Sequence, residues 1–448
     1  MQEVNIKKGC RFRMVGAPSS ELKSLPDPAR VAFLPARIPY IKPRLKVARG
    51  DRVLIGSPLF EDKYLPEIQF LSPAGGVVSD IRLGPRRVVQ AIVIDRQAEN
   101  EPQCNFTKLP LHILEAMPRR RLVDHILEGG LWWIFRELPF RNIPDPRTPP
   151  PAIILNLAAK EPFQPRPQVY LHNRNELMAY GLMVLRKLAR GNLMVMTDDD
   201  CADAEGYGQW LTHRVKGNYP ADDPGVLLYH VKESTRLNRA WFVAGQDLIL
   251  LSQLLSQGKY PVERIFTVAG SHAPTRCHFR ARLGIPLADL VAPDTIGPET
   301  RMIVGGMLRG YIGERQDFMG HYESALNLIP KGEQAEFLSL FKPGHDKPSF
   351  SRTFLSALNP GKMVYDCNLR GNERACIACL HCTDVCPVDI MPHMAYKAVL
   401  AEEVEESLEH GLLDCVECGL CSFVCPSKIE LSQTFITAKA LYADESHP

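Results

Sequence analysis

The chain has 448 residues, 45% of them hydrophobic and 23% charged, with a formal net charge of +2. That length exceeds one ordinary hydrophobic core, so roughly two to four domains are expected in a globular protein. The near-zero charge excludes the basic footprint of a nucleic-acid binder.

The N-terminal residues MQEVNIKKGCRFRMVG lack the apolar core of a signal peptide. No run of about eighteen apolar residues occurs in the chain, so no transmembrane segment and a cytoplasmic location are expected. From Val47, short β-branched runs are punctuated by Gly50-Asp51, Gly56-Ser57 and Gly75-Gly76, which predicts a small β-barrel within residues 1–110. The pattern resembles the biotinyl/lipoyl carrier barrel, and Lys63 lies near the position where such carriers bear a lipoylated lysine. The spacing from Lys63 to Pro73 is longer than in carriers, so a structural barrel is expected.

Residues 111–258 alternate helical patterns with apolar runs such as AIILNLA (152–158) and NLMVMTD (192–198), which predicts a Rossmann-like α/β layer. No G-x-G-x-x-G or P-loop follows these strands, and Gly129-Gly130 stands alone. Without consecutive glycines the backbone cannot closely approach a pyrophosphate, so neither NADH nor FMN is expected in this chain. The acidic run Asp198, Asp199, Asp200 and Asp203 with Cys201 is read as a solvated loop rather than a metal site. Trp132, Trp133, Phe135 and Phe140 are read as core rather than as a quinone or flavin pocket. Residues 259–335 alternate strands with one short helix and a GG-x3-G turn, suggesting a β-grasp-like module. Pro343, Pro348 and Pro360 then mark a jointed connection into residues 336–448.

Eight of the thirteen cysteines fall in two copies of one pattern, C-x2-C-x2-C-x3-C-P. The first is Cys376, Cys379, Cys382, Cys386 and Pro387; the second is Cys415, Cys418, Cys421, Cys425 and Pro426. The short gaps let one loop aim three thiolates at three irons of a cubane while its N–H groups face the sulfides, and the proline turns the chain away afterwards. Zinc knuckles would use paired C-x2-C units without the further spacing and proline. Two [4Fe–4S] clusters are therefore expected. In two-cluster ferredoxins, which the motif pair resembles, the fourth cysteine reaches the other cluster. That resemblance implies one set of Cys376, Cys379, Cys382 and Cys425 and another of Cys415, Cys418, Cys421 and Cys386. Cys10, Cys104, Cys201, Cys277 and Cys367 have no ligand-like spacing and read as small buried hydrophobes.

Between the motifs, Tyr396, Leu400, Val404, Leu408 and Leu412 recur every four positions and predict a helical linker. Glu402, Glu403, Glu405, Glu406 and Glu409 lie mainly opposite that stripe, as a solvated face. Leu431, Phe435, Ala438 and Tyr442 predict a closing helix, so the ferredoxin domain is expected to be all-helical.

Taken in order, SPLFEDK (57–63), SPAGGVV (72–78), GLWWIFRELPF (130–140), MTDDD (196–200), VAGSHAP (268–274), KPGHDKPSFSRTF (342–354) and CSFVCPSKIE (421–430) resemble the A subunit of the sodium-translocating NADH:quinone reductase family. The C-terminal motif pair resembles the two-cluster ferredoxin domain of the C subunit of the Rnf complex. Each parent pattern is modified here: the usual reductase A subunit lacks the paired clusters, and the Rnf C subunit carries a GGAGFP-type FMN/NADH loop that this chain lacks. The resemblance implies a multidomain α+β chain with a lipoyl-like barrel, an α/β layer like the complex I flavin subunit, an SLBB-like β-grasp module and a helical ferredoxin domain. It also implies a peripheral subunit on the inner face of the cytoplasmic membrane. Such a subunit would relay electrons between a protein donor or acceptor and the membrane subunits of an ion-translocating complex. The alternatives are an NADH- or quinone-binding catalytic chain and a scaffold that docks the ferredoxin domain.

Overall fold

The computed structural model describes residues 1–199, 207–234, 237–291, 296–332, 342–350 and 354–446. Near the N-terminus two antiparallel sheets face one another. One has the strand order Arg30–Phe33, Val89–Arg96, Gly76–Leu83, Arg52–Val53; the other runs Pro43–Leu45, Pro58–Asp62, Gln69–Leu71. Phe33, Phe60 and Phe70 interlock between them, with Phe60 and Phe70 stacked at 4.4 Å. Lys63 is exposed in the connection between Pro58–Asp62 and Gln69–Leu71.

The α/β layer is a six-stranded sheet in the order Gln2–Asn5, His213–Lys216, Leu193–Thr197, Ile153–Asn156, Trp241–Ala244, Arg136–Glu137, parallel except at its last strand. Ile153, Ile154 and Leu155 are all fully buried, as an apolar run must be when both faces of a parallel sheet are covered. Helices Asn175–Leu188 and Gly245–Gln257 pack together over one face. Trp132, Trp133 and Phe135 are fully buried in the same core, while Phe140 packs partly buried against Tyr442 of the last helix. The opposite face carries Ile154, Met196, Val215 and Phe242, which share a second core with Val388, Leu420 and Val424 from the C-terminal region. The C-terminal region is thus a covering layer of the parallel sheet.

A third, mixed sheet has the order Tyr311–Gly313, Thr300–Val304, Ala325–Pro330, Glu263–Ala269, Cys277–Arg282, Leu22–Ser24. Its outer strand Leu22–Ser24 and the strand Gln2–Asn5 are lent by the first residues of the chain to sheets built otherwise from residues far downstream. Among the described residues after Pro330 every regular element is helical: α-helices His381–Val385, Pro392–Leu400, Val404–Glu409, Leu420–Val424 and Leu431–Ser446, with single 3-10 turns at Leu355–Leu358 and Leu412–Asp414. Among the described residues no helix is long and apolar enough to cross a membrane.

The linker between the cysteine motifs is helical, in two segments broken where Glu402 adopts φ 59°, and the stripe turns outward there, with Leu400 63% and Val404 46% exposed. One expectation is corrected. Asp198 is not on a solvated loop: it is buried, accepts the Ala159 N–H at 3.0 Å and pairs with Lys160 at 3.4 Å. Asp200, Cys201 and Asp203 lie outside the described residues.

Candidate metal centre

The two cysteine motifs fold alike, residue for residue. Ala378 (φ 53°) matches Glu417 (φ 54°), Leu380 (φ 65°) matches Gly419 (φ 78°), and Asp389 (φ 50°) matches Lys428 (φ 59°). Left-handed backbone is unfavourable by roughly 1–2 kcal/mol for a residue with a Cβ, yet five of these six positions are not glycine. Alternation of right- and left-handed residues turns successive N–H groups to one concave side, the nest geometry that receives anions and iron–sulfur clusters. A five-residue helix follows each nest, His381–Val385 and Leu420–Val424, and delivers the fourth cysteine in extended conformation at ψ 115° for Cys386 and 114° for Cys425.

The N–H groups point at sulfur. Glu417 N–H donates to Cys415 Sγ at 3.5 Å. Backbone N–H groups of Thr383 and His393 lie near enough to Cys382, of Val388 and Ile390 to Cys386, of Leu420 to Cys418 and of Ser422 to Cys421 to favour the thiolates. Cys376, Cys379 and Cys382 line one cavity together with Cys425 and Pro426 from the other motif. Cys386 sits within electrostatic reach of Cys415, Cys418 and Cys421. Each group of four thus contains three cysteines of one motif and the fourth of its twin. Among the described residues no three His, Cys, Asp or Glu side chains converge as a single metal ion requires. A lone tetrahedral ion needs sulfurs only about 4 Å apart, whereas a cubane presents a separate iron to each thiolate.

The two sets differ in surroundings. Cys379 is exposed, as are its neighbours Ile377 and Leu380, while Cys382 and Cys425 are buried, so the first set reaches the surface at its Cys379 corner. Cys386 and Cys418 are buried, and burial pushes both thiols up to about 12. A cluster binds only the deprotonated form, and its iron itself draws off the proton of a coordinating thiol; nearby cations act in the same direction. Lys439 and Arg141 act on Cys415, Arg309 on Cys418 and Lys8 on Cys386. The Lys439 ammonium, fully buried, donates to Pro139 O at 2.7 Å and Cys415 O at 3.1 Å and pairs with Glu417. Arg141 donates to Val416 O at 2.9 Å and to Asp223 Oδ2 at 2.9 Å. Lys232–Asp414 at 2.6 Å, Lys8–Asp389 at 2.8 Å and His230–Pro387 O at 2.8 Å tie the same region to the α/β layer. Gly419, in left-handed conformation, abuts the third sheet so closely that a Cβ would lie 2.7 Å from Leu308 O.

These cations are what sequence reasoning missed. One signal existed: Leu431, Phe435 and Lys439 stand four apart on the closing helix, which puts a lysine on its buried stripe. The arginines carry no local signal because they come from distant segments. Of the remaining cysteines, Cys277 is buried, Cys10, Cys104 and Cys367 are half-buried, none of the four forms a disulfide, and Cys201 lies outside the described residues.

Comparison with known proteins matches three family models in chain order. These are the NqrA N-terminal barrel-sandwich hybrid domain at residues 4–97, the NqrA second alpha/beta domain at 117–260, and a 4Fe-4S dicluster domain at 368–433. Curated relatives include the A subunit of the Na(+)-translocating NADH-quinone reductase from Rhodopirellula baltica, 29% identical over 431 residues, covering 95% of this chain and 94% of that protein. The Pseudomonas aeruginosa protein of the same name is 29% identical with 95% and 96% covered, and the Klebsiella pneumoniae one 30% identical with 95% and 96% covered. Among solved structures, the NAD+-reducing [NiFe]-hydrogenase in the H2-reduced state matches 51% of this chain and 52% of that chain at 11% identity and a TM-score of 0.35. With both of its first two domains matched in order and relatives at 30% identity across 95% of its length, the chain belongs to the NqrA family, the A subunits of Na(+)-translocating NADH-quinone reductases.

Proposed function

We propose that this chain is the electron-relay subunit of a membrane-associated oxidoreductase complex and that it carries two [4Fe–4S] clusters. Cys376, Cys379, Cys382 and Cys425 would hold one, and Cys415, Cys418, Cys421 and Cys386 the other. The single observation that carries the reading is the repeated nest, with matched left-handed positions and N–H groups aimed at cysteine sulfur in both motifs. Such clusters, when bound, accept and release one electron each. The protein's own part is to fix the thiolates, supply N–H donors and cations that favour the added electron, and place one set at the surface and the other against the α/β layer. The exposed set is the natural contact for a protein donor or acceptor, and the buried set faces the rest of the chain.

The relatives are named as subunits of a Na(+)-translocating NADH-quinone reductase. By kinship this chain would be an oxidoreductase-complex subunit that sits against membrane partners on the cytoplasmic side and serves quinone reduction coupled to ion transport. The Rnf-like character of the ferredoxin domain, the β-grasp assignment of the third sheet and domain limits near residues 110, 258 and 335 belong to the same proposal. Iron and acid-labile sulfide analysis of the purified chain tests it. About eight of each per chain support two clusters; about four, or zinc in place of iron, would overturn the assignment.

A docking-scaffold role is favoured alongside by one observation: Val388, Leu420 and Val424 continue the core of the parallel sheet, so residues before 340 hold the ferredoxin domain in place. The two readings are compatible.

A further inference from the structure

Glu161 follows the central strand Ile153–Asn156 and stands where two cavities meet. One lies between the parallel and third sheets beside Arg136, Asp247 and Tyr322; the other runs along Cys10, Phe12 and Arg166. Its Oε1 is sealed from solvent and has no hydrogen-bond partner. Gly306 leaves the room for it, since a Cβ there would stand 1.7 Å from Oε1.

Charged and titratable groups face this carboxyl from each element around it. The turn after Thr300–Val304 supplies Arg309 and the Leu308 N–H, which donates to the carboxyl. The segment before helix Pro224–Val231 supplies Asp222, Asp223 and Tyr219. The neighbouring Lys160 is paired with Asp198 at 3.4 Å. Arg309 is the common partner. Its Nε donates to Tyr219 Oη at 3.0 Å, its Nη1 pairs with Asp223 Oδ2 at 2.6 Å, and Tyr219 Oη donates to the carbonyl of Cys418 at 2.8 Å. Asp223 in turn holds Arg141, which donates to Val416 O. The charge on the Cys415–Cys418 loop and the charge on Glu161 therefore act on the same guanidinium.

The three carboxyls are not equivalent. Burial raises Asp223, but Arg141 and Arg309 outweigh it and hold it down to about 2. Asp222 Oδ2 accepts the N–H groups of Lys160 and Glu161, each at 2.8 Å, but its Oδ1 is buried without a partner and burial raises it above the usual carboxylate range. Glu161, with one oxygen unpartnered, is raised by burial to about 7 against the pull of Arg309. Of the three carboxyls, Glu161 alone lines both cavities, including the one that runs past Arg166.

We propose that Glu161 is a redox-linked proton site for the cluster held by Cys386, Cys415, Cys418 and Cys421, an inference that rests on the two-cluster reading above. One electron from a protein donor arrives at that cluster and one proton from solvent, entering along the Arg166-lined cavity, converts the Glu161 carboxylate to the acid. The local charge is unchanged, and reoxidation releases both. The Tyr219–Arg309 link carries the coupling, because an added negative charge at the Cys418 loop draws on the guanidinium that otherwise stabilises the Glu161 anion.

The test is a potentiometric titration monitored by EPR on the full chain with both clusters loaded, repeated between about pH 6 and 9. One of the two potentials should fall as pH rises, approaching the tenfold-per-unit limit of about 59 mV for one electron and one proton, while the other stays flat. Glu161→Gln, which keeps the shape against Gly306, should abolish that slope and leave both signals. Two flat potentials in the unaltered protein, or a slope that survives Glu161→Gln, would overturn the proposal. Should that variant fail to load its clusters, infrared difference spectra of the unaltered protein decide. Reduction must raise a protonated-carboxyl band whose size follows pH, and its absence overturns the proposal. Iron analysis separates the two claims: fewer than two clusters sinks the relay reading and this proposal together, whereas two clusters with flat potentials sinks this one alone.

Discussion

Lys439 offers the sharpest test of how the second cysteine set is held. Replacing it with Met keeps the length of the side chain but deletes an ammonium that is fully buried among Pro139 O, Cys415 O and Glu417. Two carbonyls lose a donor, and the Glu417 carboxylate, only 16% exposed, loses its closest cation. Breaking a buried pair by removing one partner is unfavourable by about 3–5 kcal/mol. Arg141 Nε remains at 3.7 Å from Glu417 and softens the loss, which places the expectation near the lower end, about 3 kcal/mol, or a factor of roughly 150. A chain of several domains does not unfold in one step. The assay is therefore urea titration followed by the visible absorption of the bound clusters, which reports this region directly. Lys439→Met should lose half its absorption at markedly lower urea, and Lys439→Met with Glu417→Gln should recover much of the loss because no uncompensated charge remains. A single variant within about 0.5 kcal/mol of the parent, or a double variant as fragile as the single, would refute the reasoning. The same deletion removes a positive charge beside Cys415, so the potential of the more buried cluster should also fall.

Cys425→Ser should remove a ligand from the set of the first motif, lowering iron from about eight to about four per chain, whereas ligation within each motif would instead damage the second-motif cluster; EPR distinguishes the two. Asp223 is held near 2 against an ordinary 3.8, so it contributes stability present above pH 3.8 and lost as pH falls toward 2, about 2 kcal/mol in all. Acid unfolding of Asp223→Asn should accordingly show a shallower decline across that window than the parent, measured by circular dichroism. Glu161 has the opposite sign: its raised value, about 7 against 4.5, makes the folded chain lose stability as pH rises from 4.5 to 7. Glu161→Gln should thus be more stable than the parent above pH 7, by at most about 3 kcal/mol, and no more stable below 4.5; equal gains at both ends would contradict this. Gly419→Ala meets Leu308 O at 2.7 Å from a left-handed position and should destabilise the second nest by about 1–2 kcal/mol, read as earlier loss of cluster absorption on heating.

What was legible in the sequence was local. The cysteine spacing and its repetition pointed to two loops whose backbone repeats position for position, because a tight loop around a cubane leaves few conformations open. The barrel hairpins and the apolar runs at 153–156 and 193–197 were legible because period and punctuation are short-range properties. The helical linker was legible too, but its break was not, because four-residue spacing continues through Glu402 even though the backbone there turns left-handed. Nothing local announces that Gln2–Asn5 and Leu22–Ser24 join sheets assembled from distant segments, or that the C-terminal domain supplies the second cover of the parallel sheet. The cations of the buried set were hidden for the same reason. Arg141 and Arg309 are separated in sequence by most of two domains and converge on Asp223 only in the folded chain. Asp198 looked like part of a solvated acidic run because its partner Lys160 belongs to another strand end.

The most direct test of the relay is EPR of the chemically reduced, purified chain. Two cubanes whose loops interlock through Cys386 and Cys425 should give two reduced-cluster signals, each mutually broadened by the other, integrating to about two spins per chain. A single unbroadened signal, or none at full reduction, would contradict the account.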